Sequence, residues 1–463
     1  MTPKALAWRL FFTCWTVYTV YWAPWIIREQ FPALTLAEQG TLNVARFDGF
    51  IEDIFRGPHG GAYINNNPGA SIAGAVPLLL GRPLLHQAIN WEKQAPAPHI
   101  RTTEHAEVIA ARAGLLAYFL VTAFLTVAGL MAPVSALVAA LLAKRLAESG
   151  VEMKYAAIAA LTFAFGTPVF FRTLYLNHNL LVGHLGLFTA LLLWNRGWTR
   201  NRLLFAGFLC GYAVLCDFTG LLLAGIVGLY LLLTRWQSAI PFTLGTLPGV
   251  IGLAAYQALS FGNPILPSQH YMPPTAPTSQ GYRGFSWPSP DLAWANFFHP
   301  SFGLFAYCPL LLLAFAAPFV RTGKWRVPPS LARWIYGYFA VFVLFCAANQ
   351  YSWLQWNTGM RYLVPVVPGL LLLSLQVLQT WPRWLAWTVI AATVAQSWSI
   401  GASYDLHALR APLAVLSNGP RLAWLDRLRF LGWITESSWI PWTCFITVVV
   451  ILIAVWLPQR QKA

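Results

Sequence analysis

Long apolar runs separated by short polar breaks dominate the chain. A run of about 20 apolar residues is long enough to cross a bilayer as a helix. The pattern predicts twelve spans, at 7–27, 113–143, 155–171, 178–194, 203–216, 219–234, 239–259, 302–320, 334–348, 362–380, 384–400 and 441–457. Pro133 is expected to kink the second of these, which is longer than a single crossing needs. The intervening stretches 28–112, 260–301, 349–361 and 401–440 are predicted to lie together on one side of the membrane. The first is too long for a structureless connection and is expected to fold, with juxtamembrane helices of its own. Within it, Ile72 to Leu80 is apolar but too short to span, the signature of an interfacial or re-entrant helix. The fold expected is an all-α polytopic membrane protein, residues 1–463 forming one transmembrane domain.

Composition agrees. Hydrophobic residues make up 57% of the chain and charged residues 10%, against about 25% charged in soluble domains. The net charge of +15 does not mark a nucleic-acid binder, because the bases recur in short clusters between apolar runs. Those clusters are Lys4 and Arg9, then Lys144, Arg145 and Lys154, then Arg196, Arg200 and Arg202, then Arg321 to Arg333, then Arg460 and Lys462. Alternating the twelve spans puts every cluster on one side, which the positive-inside rule makes cytoplasmic. Nearly all the acids fall on the other side, with the long loops. The six cysteines form no C-x-x-C pair and read as small buried side chains. The first apolar run has no small-residue cleavage site after it and reads as a retained span.

The first long loop reads "LTLAEQGTLNVA" from Leu34 to Ala45, followed by "RFDGFIEDIFRGPHGGAYINNNPGASIAGAVPLLL". This resembles the first extracytoplasmic loop of bacterial GT-C glycosyltransferases, a superfamily that includes the protein O-mannosyltransferases and the aminoarabinose transferase of lipid A. Four later segments resemble the same group: "GTPVFFRTLYLNHNL", "GYAVLCDFTG", "FGNP…FFHPSFGLFAYCPLLLL" and "NTGMRYLVPVVP". They run in order from Thr41 to Pro368, all on the non-cytoplasmic side. One departure stands out. Where related loops place Asp-Lys before the Pro-Gly, this chain has Asn65, Asn66 and Asn67.

The resemblance implies an inverting hexosyl- or pentosyltransferase in a bacterial cytoplasmic (inner) membrane. Its donor would be a polyprenyl-phosphate-linked sugar, its acceptor a glycan, lipid or protein, and its surroundings membrane lipids. An acid of the first loop would act as general base, and a basic residue would meet the departing lipid phosphate. A carboxylate so placed is worth about 10²–10⁴-fold in rate. Asp48 is the first candidate, Asp53 the second and Glu29, just past the first span, the third; a helical turn between Asp48 and Asp53 would point both at one site. Arg361 opens a span where a guanidinium can grip a phosphate, with Tyr362 beside it as an interface anchor and His178, flanked by two asparagines, as a donor-side partner. Asn65, Asn66, Asn67, Asp217 and Trp356 are candidates for binding substrate, although Asn-Asn-Asn-Pro-Gly is equally turn chemistry and an acid at a span end is equally a solvated one. No cofactor is expected; Asp48, Glu52 and Asp53 are the only grouping that suggests a divalent metal. A transporter or lipid flippase would instead show paired broken helices in two repeated halves, and an inactive scaffold of the same fold is the third reading.

Overall fold

The computed structural model of the chain describes residues 1–98, 105–194, 197–276, 279–321, 323, 325–353, 360–403, 407–419, 421–435 and 439–457. Helix α1 (Pro3–Val20) starts where Thr2 accepts a hydrogen bond from the Ala5 amide (3.2 Å), with Pro3 in the first turn. It stops at Val20 rather than Ile27. The amide of Ala23 is drawn off to the Leu174 carbonyl (2.7 Å), and Pro24 follows.

The first loop folds. Helix α2 (Gln30–Gln39) ends on Gly40, whose φ of +70° suits glycine. A short antiparallel hairpin follows, β1 (Ile54–Arg56) against β2 (Ala62–Ile64), with Phe55 opposite Tyr63. Helices α3 (Gly69–Leu80) and α4 (Arg82–Glu92) meet at a 75° bend, so the apolar stretch expected to be re-entrant is helical and turns sharply at its end. Helix α5 (His105–Arg112) closes the segment. Its core is aromatic: Phe31 lies 5.1 Å from Phe47 and 5.4 Å from Phe119, ring to ring. Phe119 belongs to α6 (Leu116–Thr126), so the loop is packed onto the bundle rather than tethered above it.

Helices α6 and α7 (Ala132–Glu148) form one span through a π-helical turn at Val127–Met131. The widened turn precedes Pro133, absorbing the carbonyl that proline cannot bond. Helices α8 (Met153–Phe165), α9 (Val169–Thr173), α10 (His178–Leu193) and α11 (Arg200–Cys216) are shorter. Helix α12 (Thr219–Phe261) has 43 residues, about 65 Å of helix, twice a hydrocarbon core. It is broken at Arg235, which leaves the helical region (φ −158°, ψ 90°). Its two arms fold back along α11. A Cβ on Gly207 would strike the Phe242 carbonyl, and one on Gly220 would strike the Ala213 backbone. Small residues thus let three segments pack backbone to backbone, the usual device inside a membrane. The break falls between the spans expected at 219–234 and 239–259.

Among the described residues, four helices are long and apolar enough to cross a membrane: Leu116–Glu148, Thr219–Phe261, Pro329–Ala348 and Arg361–Leu378, with α3–α4 a fifth if the bent pair is one span. Apolar helices at Met153–Phe165, His178–Leu193, Pro309–Phe319 and Trp442–Trp456 are shorter. The protein is therefore a helical membrane protein, with one small hairpin among the described residues. Fewer helices reach full length than the twelve apolar runs suggested, partly because of winding. Pro309–Phe319 is a 3-10 helix of 11 residues, and at about 2 Å per residue it covers more depth than an α-helix of that length.

Candidate active site

Several chain ends are locked together at the first-loop end of α10, α11 and α12. Asn177 caps α10, its Oδ1 accepting from the Leu180 amide (2.8 Å), which sets His178 in the first turn. Glu29 sits at the start of α2, where its carbonyl accepts from Ser71 Oγ (2.8 Å). Asn67 donates to the Val214 carbonyl (2.8 Å). A Cβ on Gly69 would lie 2.6 Å from the Cys216 amide nitrogen, so only glycine lets α3 begin hard against the end of α11. This contact is the physical reason for the Pro68-Gly69 pair.

The cluster has two halves that share Arg28. In the buried half, Glu29 Oε1 accepts from Asn66 Nδ2 (2.6 Å) and from Arg28 Nε (3.2 Å), and lies 2.7 Å from His178 Nδ1. The other ring nitrogen of His178 faces Asp217 Oδ2 at 3.5 Å. Asp217 is itself fixed by Thr219, whose amide (2.8 Å) and hydroxyl (2.6 Å) both donate to Oδ1. The imidazole thus stands between two carboxylates. In the more open half, Arg28 Nη1 donates to Asp53 Oδ2 (3.1 Å) and Asn65 Oδ1 (3.0 Å), while Asn65 Nδ2 donates to Asp53 Oδ1 (2.7 Å). The 260–301 loop closes over this half: Ser268 Oγ and Gln269 Nε2 both donate to the Asn65 carbonyl (2.9 and 2.7 Å).

Burial works to raise the Glu29 carboxyl, but His178, by charge and by hydrogen bond, and Arg28 together outweigh it and hold it at about 2. Burial likewise opposes the charge on Arg28, and Asp53 and Glu29 more than offset it, so the guanidinium is held protonated. The two acids differ in access. The Glu29 side chain is 5% exposed and the Asp53 side chain 38%, so only Asp53 offers oxygen to an incoming group.

Asp48 does not join the cluster. It follows a 3-10 turn at Ala45–Phe47, and Gly49 with φ +85° leads the chain away from helix before Asp53 is reached. The helical turn expected between the two acids is absent. Asp48 instead meets exposed Arg56 at 3.2 Å. Asn65, Asn66 and Asn67 are all buried, their amides engaged with Asp53, Glu29 and Val214 respectively. Arg361 is 5% exposed; Nη2 donates to the Tyr351 carbonyl (3.0 Å), Nε has no partner, and the guanidinium lies 4.6 Å from the Tyr362 ring centre. Tyr362 is in electrostatic reach of Asp217 and Arg28 as well as Arg361, which brings the Arg361 segment to the cluster. Trp356 lies outside the described residues. Asp48 and Asp53 turn to different guanidinium partners, and among the described residues no three His, Cys, Asp or Glu are placed to hold a metal.

Two arginines escaped the sequence reading. Arg28 donates to Asn65 Oδ1 (3.0 Å); the two are far apart in sequence, so the pairing left no local signal. Arg172 is 2% exposed, donates to Tyr175 Oη (2.7 Å), and has Nε and Nη2 unpartnered. A basic residue inside the apolar run at 155–171 and its continuation was the signal available, since such residues are functional candidates by default. No family model, curated protein or solved structure matches the chain.

Proposed function

We propose that the protein transfers a sugar from a polyprenyl-phosphate donor to an acceptor hydroxyl at the outer face of a bacterial cytoplasmic membrane, with the chain crossing twelve times and the cluster on the outer side. The observation that carries this reading is Arg28 held between Glu29 and Asp53 at one end of the apolar helices. A cation for a phosphate and an accessible carboxylate for a hydroxyl proton stand side by side where a lipid headgroup would lie. Asp53 takes the proton as the acceptor oxygen attacks the anomeric carbon. The bond from that carbon to the phosphate oxygen breaks, and its electron pair leaves with the lipid phosphate. Arg28 and Arg361 offset the charge that gathers there, Arg361 through Nε, which has no partner among the described residues. Glu29, Asn66 and Asp217 orient His178 and Arg28.

The test is release and transfer of sugar from a synthetic polyprenyl-phosphate donor in nanodiscs. Arg361→Ala should weaken donor binding and lower turnover together, because the phosphate is charged before and after the reaction. Arg361→Lys should restore only part, since the planar fork is lost. Unchanged donor affinity in Arg361→Ala would reduce that arginine to a headgroup anchor. The imidazole between two carboxylates also suits a proton path, as a transporter would need; in that case no sugar leaves the donor while Glu29→Gln abolishes proton-coupled uptake.

The topology has its own check. A cysteine at His59 should react with an impermeant thiol reagent from outside, and one at Arg200 should not, in a Cys444→Ser background. Labelling at 200, or none at 59, refutes the orientation.

A further inference from the structure

The first loop holds a cavity away from the cluster, of about 310 Å³, lined by Glu38, Arg46, Phe47, His86, Asn90 and Tyr118 among others. That is the low end of small-ligand sites, which run about 300–1,000 Å³. Its floor is a closed ring of hydrogen bonds. Tyr118 Oη donates to Glu38 Oε1 (2.6 Å), Arg46 Nη1 donates to Glu38 Oε2 (2.5 Å), and Arg46 Nη2 donates to Tyr118 Oη (3.2 Å). The guanidinium also lies 4.4 Å from the Phe47 ring centre. Tyr118 is 2% exposed, so the ring is held from beneath by the bundle.

His86 and Asn90 stand four residues apart on α4, which puts them on one flank of that helix. Both are exposed, and neither side chain hydrogen-bonds another residue among those described. The other flank of α4 exposes Leu84 and Trp91. The cavity lies against the polar flank of α4.

We infer that this cavity is a saccharide subsite that binds a neutral sugar unit of the acceptor, an inference that rests on the glycosyl-transfer reading above. Its fixed charges cancel, Arg46 against Glu38, so a neutral ligand fits without displacing either partner. What remains free is an amide, an imidazole and spare carboxylate lone pairs, which are donors and acceptors for hydroxyl groups. The volume suits one sugar ring. Helix α2 links the two places, with Glu29 at its start and Glu38 in its last turn, about 14 Å apart at 1.5 Å per residue. The acceptor therefore carries a sugar unit at some distance from the hydroxyl that reacts.

Saturation-transfer NMR on the protein in lipid nanodiscs tests this with the methyl glycosides of glucose, mannose, galactose and N-acetylglucosamine. At least one should bind, and His86→Ala with Asn90→Ala should weaken it about tenfold or more. These residues are exposed, so the double variant should fold; Tyr118→Phe, which opens the ring without emptying the core, should weaken binding as well. Release of sugar from the donor to water should be unchanged in all of them. Binding by none of the four, binding that survives both variants, or preference for inorganic phosphate would each overturn the subsite. A different failure, intact glycoside binding with no sugar released from any polyprenyl-phosphate donor, would overturn the transferase reading and leave the subsite standing.

Discussion

Asp53→Asn is expected to cut turnover by about 10²–10⁴-fold, the worth of a positioned general base, while donor affinity changes little. As the proposed general base the carboxylate would act when the acceptor proton moves, so its loss should appear in the transition state rather than in donor binding. The asparagine side chain keeps the shape and still offers an oxygen to Arg28, which holds Asp53 at 3.1 Å. What it cannot do is accept the proton. Asp48→Asn is the control: that acid pairs with exposed Arg56, and its loss should leave turnover within about twofold, as surface changes of about ±0.5 kcal/mol do. Single-turnover transfer with donor titration measures both. If Asp48→Asn is the slow variant and Asp53→Asn is normal, the base lies on the solvent side of the hairpin and the cluster serves another purpose.

The contrast between these two acids shows what the chain pattern does and does not encode. Apolar runs carry their own message, because a helix in lipid must satisfy its backbone internally. The break near residue 235 was visible as a gap between two apolar runs, and Arg235 marks it in the structure. The partners of the polar residues were not visible. Asp48 and Asp53 have similar local surroundings, and what separates them is Arg28, brought in by the turn after α1. The three asparagines could be read as turn chemistry, yet each amide is committed to a different distant element. Glu29 was legible only as an acid near a span end. Its burial depends on α3, α10 and the Gly69 contact with α11, none of which is local. Pairings over such separations are set by packing.

Glu29→Gln should be the most damaging single change to the fold. Its carboxyl is held at about 2, against an ordinary 4.5, and a displacement of that size is worth about 3 kcal/mol. Because the folded value lies below the unfolded one, the contribution is complete above about pH 4.5 and is lost as pH falls toward 2. The amide removes it at every pH. The loss of the counter-charge beside half-buried Arg28 is the same interaction seen from the other side and is already contained in that figure. Thermal unfolding followed by tryptophan fluorescence in nanodiscs should show a large drop in midpoint at pH 7 for Glu29→Gln. It should show little change for Glu52→Gln, whose side chain is exposed. The acid limb should separate them further. Wild type loses stability between pH 4.5 and 2, whereas Glu29→Gln, already without the charge, falls less over the same interval. A wild-type midpoint in Glu29→Gln, or an acid limb of undiminished depth, would mean that Glu29 does not hold Arg28 and His178 in place. The site would then have to owe its geometry to Asp53, Asn65 and Asp217 alone.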